Sequence, residues 1–453
     1  MKQIPPVATP APIRFSCHDA LRPGCPCLRT SAPYSTRIGE AALRDAAAGT
    51  NGDPIPRPIS IAVHFPNRTR LRAEGDCNAR SEAYLSRLRR EVALLAPLFD
   101  RDRQIDQIHL LNRPLAHLTP EQVRELLDAL ARHFAFAVTG APLRLAELDP
   151  AAGSLADIEA LATAGISHAA QFIDLMPESG DAPASLDSHL ALMAACRGHG
   201  ISHVHAHLSG GDRADIDSCM RALEALLEAR PDRITLHQTR PLDGADAGPS
   251  GSSDSASCDA LDRRTGFFSR LTQAGYQHLG LCCFALPEDE LVLARRRNAL
   301  HCDLLGYSAR PDSDLVGIGV GATTQVGATV CQNLRELPLW EEAIDASRLP
   351  IWRGACMSPD DQLRAEVIQQ LVCRGEIDFG EISRHHSISF EERFSRALDR
   401  LDALAGEGLL ERGAQGVRAT DSGLHQLHRL TACFDEREGE AVQVALRRPH
   451  RAL

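Results

Sequence analysis

The feature that most constrains this chain is a strand–helix alternation running from residue 59 to about residue 238. ISIAVHF (residues 59–65) is β-branched and alternates apolar with polar residues, so it predicts a strand. A polar loop follows (67–78), and SEAYLSRLRREVALLAPLF then predicts a helix. The pattern repeats. IDQIHLL, APLRLAEL, SHAAQFIDL, ISHVHAHL and DRITLHQ read as strands, and TPEQVRELLDALARHF, SLADIEALATAG, DSHLALMAACRGHG and IDSCMRALEALLEA read as the helices between them. Thr119 ahead of Pro120, and Ser154, are side chains that cap helix N-termini, and Gly165 stops a helix. Strand–helix units of this length join parallel strands by right-handed crossovers. Six in a row predict an α/β protein, and favour a full or partial (β/α) barrel over an open sheet.

The flanks differ in character. Residues 1–58 are rich in Pro, Ala, Gly and Thr and predict an extended arm with a short helix around 40–48. PLDGADAGPSGSSDSASCD (241–259) predicts a polar, mobile loop, and GYQHLGLCCFAL one further strand. From about Leu337 the register changes. AEVIQQLVCRG, SFEERFSRALDRLDALAGEG, LLERGAQGVRATDSG and LHQLHRLTACF predict helix, helix, hairpin, helix, the order of a small winged-helix unit. The expected division is an arm (1–58), a barrel (59–336) and a helical C-terminal domain (337–453).

Charge and residue usage exclude several functions. The 60 acidic residues outnumber the 49 Lys and Arg, for a net charge of -11. That balance argues against nucleic acid as a partner, so the C-terminal domain is expected to pack on the barrel. Lys2 is the sole lysine, which excludes a Schiff-base or P-loop lysine elsewhere. No apolar run reaches the roughly 18 residues that span a bilayer. MKQIPPVATPAPIRF lacks the apolar stretch of a signal peptide, so the expectation is a cytoplasmic protein without a membrane partner. The 14 cysteines are scattered with no CxxC pair, unlike a disulfide framework.

Four groups carry candidate chemistry. His203, His205 and His207 alternate along one predicted strand and share a face. Three imidazoles there suit zinc, iron or a haem, or else line the barrel in hydrogen bonds without any metal. Arg68, Arg70 and Arg72 alternate in NRTRLR just after the first strand, where barrel proteins place functional loops. They suit a carboxylate or phosphate clamp, or form a solvated, mutually repelling loop. Cys282 and Cys283, adjacent on a predicted strand, would face opposite ways as buried thiols. Cys25 and Cys27 in the arm could form a haem- or metal-responsive pair. GVGATTQVG (319–327) is glycine-rich without the strand–turn–helix context of a dinucleotide site.

A family resemblance rests on ISIAVHFP, on HLGLCCFALPEDELVLARRRNALHCDLLGYSARPDSDLVGIGVGATT, and on QNLREL, IWRGACMSPDD and VRATDSGLHQLHRLTACFD. These segments resemble the oxygen-independent coproporphyrinogen III dehydrogenases of the radical S-adenosylmethionine (SAM) superfamily. The similarity runs from about Ser31 to Leu453 and is most specific over 270–330. It implies a partial barrel carrying a four-iron–four-sulfur cluster and SAM, with a helical C-terminal domain. The implied reaction is oxidative decarboxylation of two propionates of coproporphyrinogen III to vinyl groups. A cluster of this kind is held by thiolates.

The same resemblance shows departures where that chemistry would sit. The family's three cluster cysteines fall on Arg68, Arg72 and Gly75, and Cys77 alone persists nearby. Its Gly-Gly-Gly-Thr-Pro loop falls on Leu111-Asn112-Arg113-Pro114-Leu115, putting side chains where backbone would approach SAM. Its cofactor-site tyrosine falls on Ala62, its Gly-Val-Gln on Phe172-Ile173-Asp174, its Ile-Asp on Ala206-His207 and its Asp-His on Cys282-Cys283. Glu147-Leu148-Asp149-Pro150 matches the family's Glu-Val-Asp-Pro, and Gly306, Gly317, Gly319 and Trp352-Arg353-Gly354 are kept. The expectation is a family member without radical-SAM catalysis that binds a tetrapyrrole or haem in an accessory role. Its ligand-binding candidates are Arg68, Arg70, Arg72, Arg113, Glu147, His203, His205 and His207, and Cys77 joins the three histidines as a candidate metal ligand. A paralogous dehydrogenase is an expected partner. The alternative is an active dehydrogenase whose cluster is held by Cys77 with Cys25 and Cys27.

Overall fold

Ile59, Ile61 and Val63 have no solvent exposure, and their alternation aims them at one side of β1 (Ile59–His64). There they share the main core with Leu85, Leu88 and Val92 of the helix Cys77–Leu95. Ser60, Ala62 and His64 on the other face are buried too, so β1 is covered on both sides, as central parallel strands are. The computed structural model describes residues 34–66, 77–137, 141–152, 154–174, 184–209, 216–237, 266–310 and 312–435.

The predicted alternation is realised as β2 (Ile105–Leu111), β3 (Leu143–Glu147), β4 (His168–Asp174), β5 (His203–Ser209) and β6 (Arg233–His237), each parallel to the strand before it. The helices Pro120–His133, Leu155–Thr163, Leu186–Gly198 and Ile216–Ala229 connect them. Thr119 and Ser154 close capping boxes with Gln122 and Asp157, as their positions imply.

After β6 the parallel order stops. β7 (Gln277–Gly280) and β8 (Cys283–Ala285) form an antiparallel hairpin whose β8 pairs with β6. GYQHLGLCCFAL is therefore two short strands, which corrects the single strand expected. Leu281 and Cys282 form the turn, with φ of 46° and 61°. A two-residue turn with both φ positive matches the twist of its flanking strands. Cys282 thus sits on a turn, and Cys283 is a buried thiol that burial pushes up to about 11.

A short separate hairpin pairs β9 (His301–Asp303) with β10 (Gly306–Ser308). The sheet then extends from the opposite edge. β11 (Asp314–Gly319) lies parallel to β1, and β12 (Thr323–Val326), β13 (Thr329–Asn333) and β14 (Ile351–Cys356) continue antiparallel. GVGATTQVG spans the turn from β11 into β12. At Gly317 a Cβ would meet the Thr323 carbonyl oxygen at 2.3 Å, so only glycine permits this close strand approach. The result is an α/β fold with a twelve-stranded sheet ordered β14-β13-β12-β11-β1-β2-β3-β4-β5-β6-β8-β7. Its end strands do not pair with each other, so the barrel is open.

The helix Glu40–Asn51 buries Leu43 and Ala47 in the main core, as does the helix Leu337–Asp345 with Trp340. The second core joins Leu363, Val367 and Leu371 of the helix Pro359–Arg374 to Phe379, Phe390, Phe394, Leu401 and Val417. A three-stranded sheet of Glu376–Asp378, Gly416–Ala419 and Leu410–Arg412 completes this winged-helix-like order. Among the described residues no helix is long and apolar enough to cross a membrane.

Candidate functional site

The residues of β5 that face the helices, Val204, Ala206 and Leu208, belong to the main core. Period two then sends His203, His205 and His207 to the inner, concave face, as the sequence implied. The register of β4 on β5 places His168 beside His203, Ala170 beside His205 and Phe172 beside His207.

The histidines form a ladder of rings. His168 and His203 stack with centroids 4.3 Å apart and planes 6° from parallel. His205 meets His168 edge-on at 5.6 Å. Phe172 stacks on His207 at 4.3 Å, and His237 of β6 lies within 2.9 Å of His207, ring nitrogen to ring nitrogen. At about 3.3 Å of rise per residue, His203 and His207 stand roughly 13 Å apart. The three do not converge on one point. Among the described residues no three His, Cys, Asp or Glu side chains are arranged to hold a metal ion.

The lower rungs have a local cause in the sequence. Gly165-Ile166-Ser167-His168 and Gly200-Ile201-Ser202-His203 are the same four-residue phrase. In each, the glycine has a left-handed φ, 86° at Gly165 and 91° at Gly200, as the chain leaves a helix. In each, the serine hydroxyl lies 2.9 Å from Nδ1 of the following histidine. Equal anchors on neighbouring strands hold the two imidazoles face to face. This repeat was the signal that could have added His168 to the predicted set.

Burial, with charge beneath the ladder as a lesser cause, sets its protonation. Arg233 on β6 is buried and bonds Asp289 at 2.8 Å and Glu290 at 2.9 Å. Burial opposes its charge, but the two carboxylates outweigh it and hold the guanidinium above its usual range. Glu290 also reaches His168 Nε2 at 3.4 Å. Burial, the largest cause, pushes His168 below the ordinary imidazole value, and pushes His205 further below it with help from Arg233. Both are neutral at pH 7. His205 Nε2 is buried without a hydrogen-bond partner.

The loop after β2 forms the neighbouring wall. Asn112 and Arg113 both adopt left-handed backbone, with φ of 63° and 58°. Asparagine tolerates that region, whereas for arginine it costs about 1 kcal/mol or more. The Asn112 N–H donates to Glu147 Oε2 at 2.5 Å, and its side-chain amide donates to the Phe65 carbonyl at 3.1 Å. Arg113 Nη1 lies 3.2 Å from Asp149 Oδ2. Glu147 is buried, so of the expected residues it is held in place and Arg113 is bound to a neighbouring acid rather than open. His189, whose Nδ1 lies 3.0 Å from Gln171 Oε1, is pushed down to about 4 by burial.

Arg68, Arg70, Arg72 and Gly75 lie outside the described residues, as do Cys25 and Cys27. Cys77 opens the helix that follows β1. Sequence reading missed His168, His237, Phe172, Arg233 and Glu290, which the strand register brings onto or beside the inner face.

Comparison with known proteins agrees with this architecture. Residues 357–425 match the HemN C-terminal domain family. The oxygen-independent coproporphyrinogen III oxidase of Salmonella typhimurium is 28% identical over 421 residues, covering 90% of this chain and 91% of that one. Its Escherichia coli counterpart is 27% identical over 424 residues with the same coverage. The solved structure of the Escherichia coli enzyme, described as a radical SAM enzyme, superposes with a TM-score of 0.77 at 27% identity, covering 90% of this chain and 96% of that one. Shared topology across both units, over nearly the full length of each chain, settles the relationship: this protein belongs to the oxygen-independent coproporphyrinogen III oxidase family.

Proposed function

We propose that this chain is a family member without radical-SAM catalysis, and that it binds an anionic tetrapyrrole or haem in an accessory or regulatory role in porphyrin metabolism. The observation that carries this reading is the change of chemistry in the loops after β1 and β2. Between Phe65 and Tyr84 the sole sulfur donor is Cys77, and Arg68, Arg72 and Gly75 stand where the family resemblance puts its three cluster cysteines. One thiolate cannot hold a cluster that needs three protein ligands and an iron open to SAM. The loop after β2 keeps left-handed backbone but carries the side chains of Asn112 and Arg113, the latter drawn to Asp149. The residues present do not fit the cluster and SAM.

The inner face favours a flat, negatively charged ligand. The ladder of His168, His203, Phe172 and His207 offers ring faces, and His205 offers an unsatisfied neutral nitrogen. The arginines of NRTRLR add positive charge.

The experiment is anaerobic titration of the purified chain with coproporphyrin III and with haem, followed by absorption, beside an assay for 5′-deoxyadenosine from SAM. Saturable porphyrin binding without 5′-deoxyadenosine is expected. Formation of 5′-deoxyadenosine would restore the enzyme reading, with a cluster held by unconventional ligands.

A further inference from the structure

Arg353 stands apart from the ladder, on β14. Its register partner is Gln332, and its neighbours two along, Val330 and Ala355, face each other across β13 and β14. Val330 clusters with Ala62, Leu111, Leu304 and Leu315, the apolar part of the inner face, and Tyr34 packs against that cluster. Arg353 therefore projects on the inner side of the sheet.

Three contacts hold it there. Its guanidinium carbon lies 4.3 Å from the Trp352 ring centroid and 5.2 Å from that of Tyr34. Its Nε donates to Gln332 Oε1 at 3.0 Å. Tyr34 is positioned by backbone: Ser35 N–H donates to the Gly354 carbonyl at 2.7 Å, and Gly354 N–H donates back at 3.0 Å. That approach requires glycine, because a Cβ on Gly354 would meet Val330 O at 2.6 Å and Ile38 Cγ2 at 2.7 Å.

The other groups around Arg353 make it unusual. Among the described residues it forms no ion pair, and its charged neighbour is a second cation, Arg335. Partial burial and Arg335 both push its value down. Arg103, Arg233 and Arg87, by contrast, sit against the acids Asp314, Asp289 and Asp345. An arginine clamped between two rings, beside another arginine and with no acid, is preorganised for an anion from outside the chain.

We propose that Arg353, with Arg335 beside it, is the carboxylate-recognition element of this barrel and engages a carboxylate side arm of the ligand while Tyr34 and Trp352 hold the guanidinium plane. The proposal rests on the tetrapyrrole reading and assigns its anionic groups to Arg353 of β14 and Arg335 just after β13.

The test uses the full chain and the emission of Trp352. The chain has two tryptophans, and the other, Trp340, is fully buried. Coproporphyrin III, its tetramethyl ester and benzene-1,2,4,5-tetracarboxylate are titrated against the parent, Arg353→Gln and Arg353→Lys, each variant checked for an unchanged unfolding transition. The expected result is Trp352 quenching by coproporphyrin III in the parent and about tenfold or greater loss of affinity in Arg353→Gln. The ester is expected to bind equally weakly to parent and variant, and Arg353→Lys to recover affinity only in part. Equal affinity of parent and Arg353→Gln for coproporphyrin III would overturn the assignment and leave the tetrapyrrole reading standing. No porphyrin binding, but Arg353-dependent binding of the benzene tetracarboxylate, would overturn the tetrapyrrole reading and keep Arg353 as a carboxylate site. Indifference of Trp352 and of Arg353 variants to every ligand would overturn both.

Discussion

The main-chain N–H of Asn112 donates to Glu147 Oε2 at 2.5 Å, tying the loop after β2 to the end of β3. By the family resemblance, Glu147 matches the family pattern and Asn112 departs from it. The loop keeps a left-handed path at two successive non-glycine residues, and the Glu147 contact helps hold it there.

Glu147→Ala is therefore expected to destabilise the chain by about 1 kcal/mol, because it leaves a partly buried N–H without its acceptor. Arg113→Gly relieves the left-handed strain but removes a half-exposed ion pair, and is expected to change stability by less than about 1 kcal/mol. Urea unfolding midpoints check both. A Glu147→Ala midpoint equal to the parent's would show that the loop does not depend on this bond.

Arg233 is expected to be intolerant. Arg233→Met leaves Asp289 and Glu290 facing each other without their shared cation, at a cost of about 3–5 kcal/mol. The double variant Arg233→Met, Asp289→Leu should not recover the parent's stability, because Asp289 also caps the helix Glu290–Arg296 through the Leu291 N–H. Denaturant titration of the single and double variants measures this coupling.

Glu91 predicts a pH dependence. It is fully buried on the helix Cys77–Leu95 and accepts the Gly319 N–H at 2.8 Å and the Asn333 amide at 2.7 Å. Burial pushes it up to about 8 from 4.5. The folded chain thus holds a proton here that the unfolded chain releases, so the contribution is complete below pH 4.5 and is lost as pH rises through 8. Glu91→Gln should flatten the fall in stability between pH 5 and 8, where one such group contributes a slope of at most about 1.4 kcal/mol per pH unit. Parallel pH–stability curves for parent and variant would contradict this.

The ladder histidines should resist protonation. In nitrogen-15 NMR spectra of the histidine-labelled chain His205 is expected to stay neutral well below the ordinary imidazole range, and His168 to titrate below its ordinary value, because burial lowers both. Assignment by His168→Gln and His205→Gln identifies the signals. Titration of either near the ordinary value of about 6.5 would show that water reaches the inner face freely.

Six parallel strands were legible because each alternates or runs apolar between capped helices. IDQIHLL coincides with β2, and ISHVHAHL covers β5 up to its last residue, Ser209. The strands β11 to β14 were not legible: short and rich in Gly and Thr, they are defined by pairing, β11 with distant β1 and the rest in antiparallel succession, rather than by their own periodicity. Cys282 misled because adjacent apolar residues look like a strand, while a left-handed turn leaves no mark on them. At the site, the shared face of His203, His205 and His207 followed from period two alone. Whether they meet a partner did not, because His168 reaches His203 through strand register and His237 reaches His207 across 30 residues.

The central claim is that this member of the family has given up cluster-dependent chemistry while keeping the fold. Iron and acid-labile sulfide per chain, measured after strictly anaerobic reconstitution, test it most directly. The account predicts sulfide at background and no stoichiometric iron, since Arg68, Arg72 and Gly75 offer no thiolate. Near-stoichiometric iron and sulfide would contradict it and direct attention to Cys25, Cys27 and Cys77 as ligands.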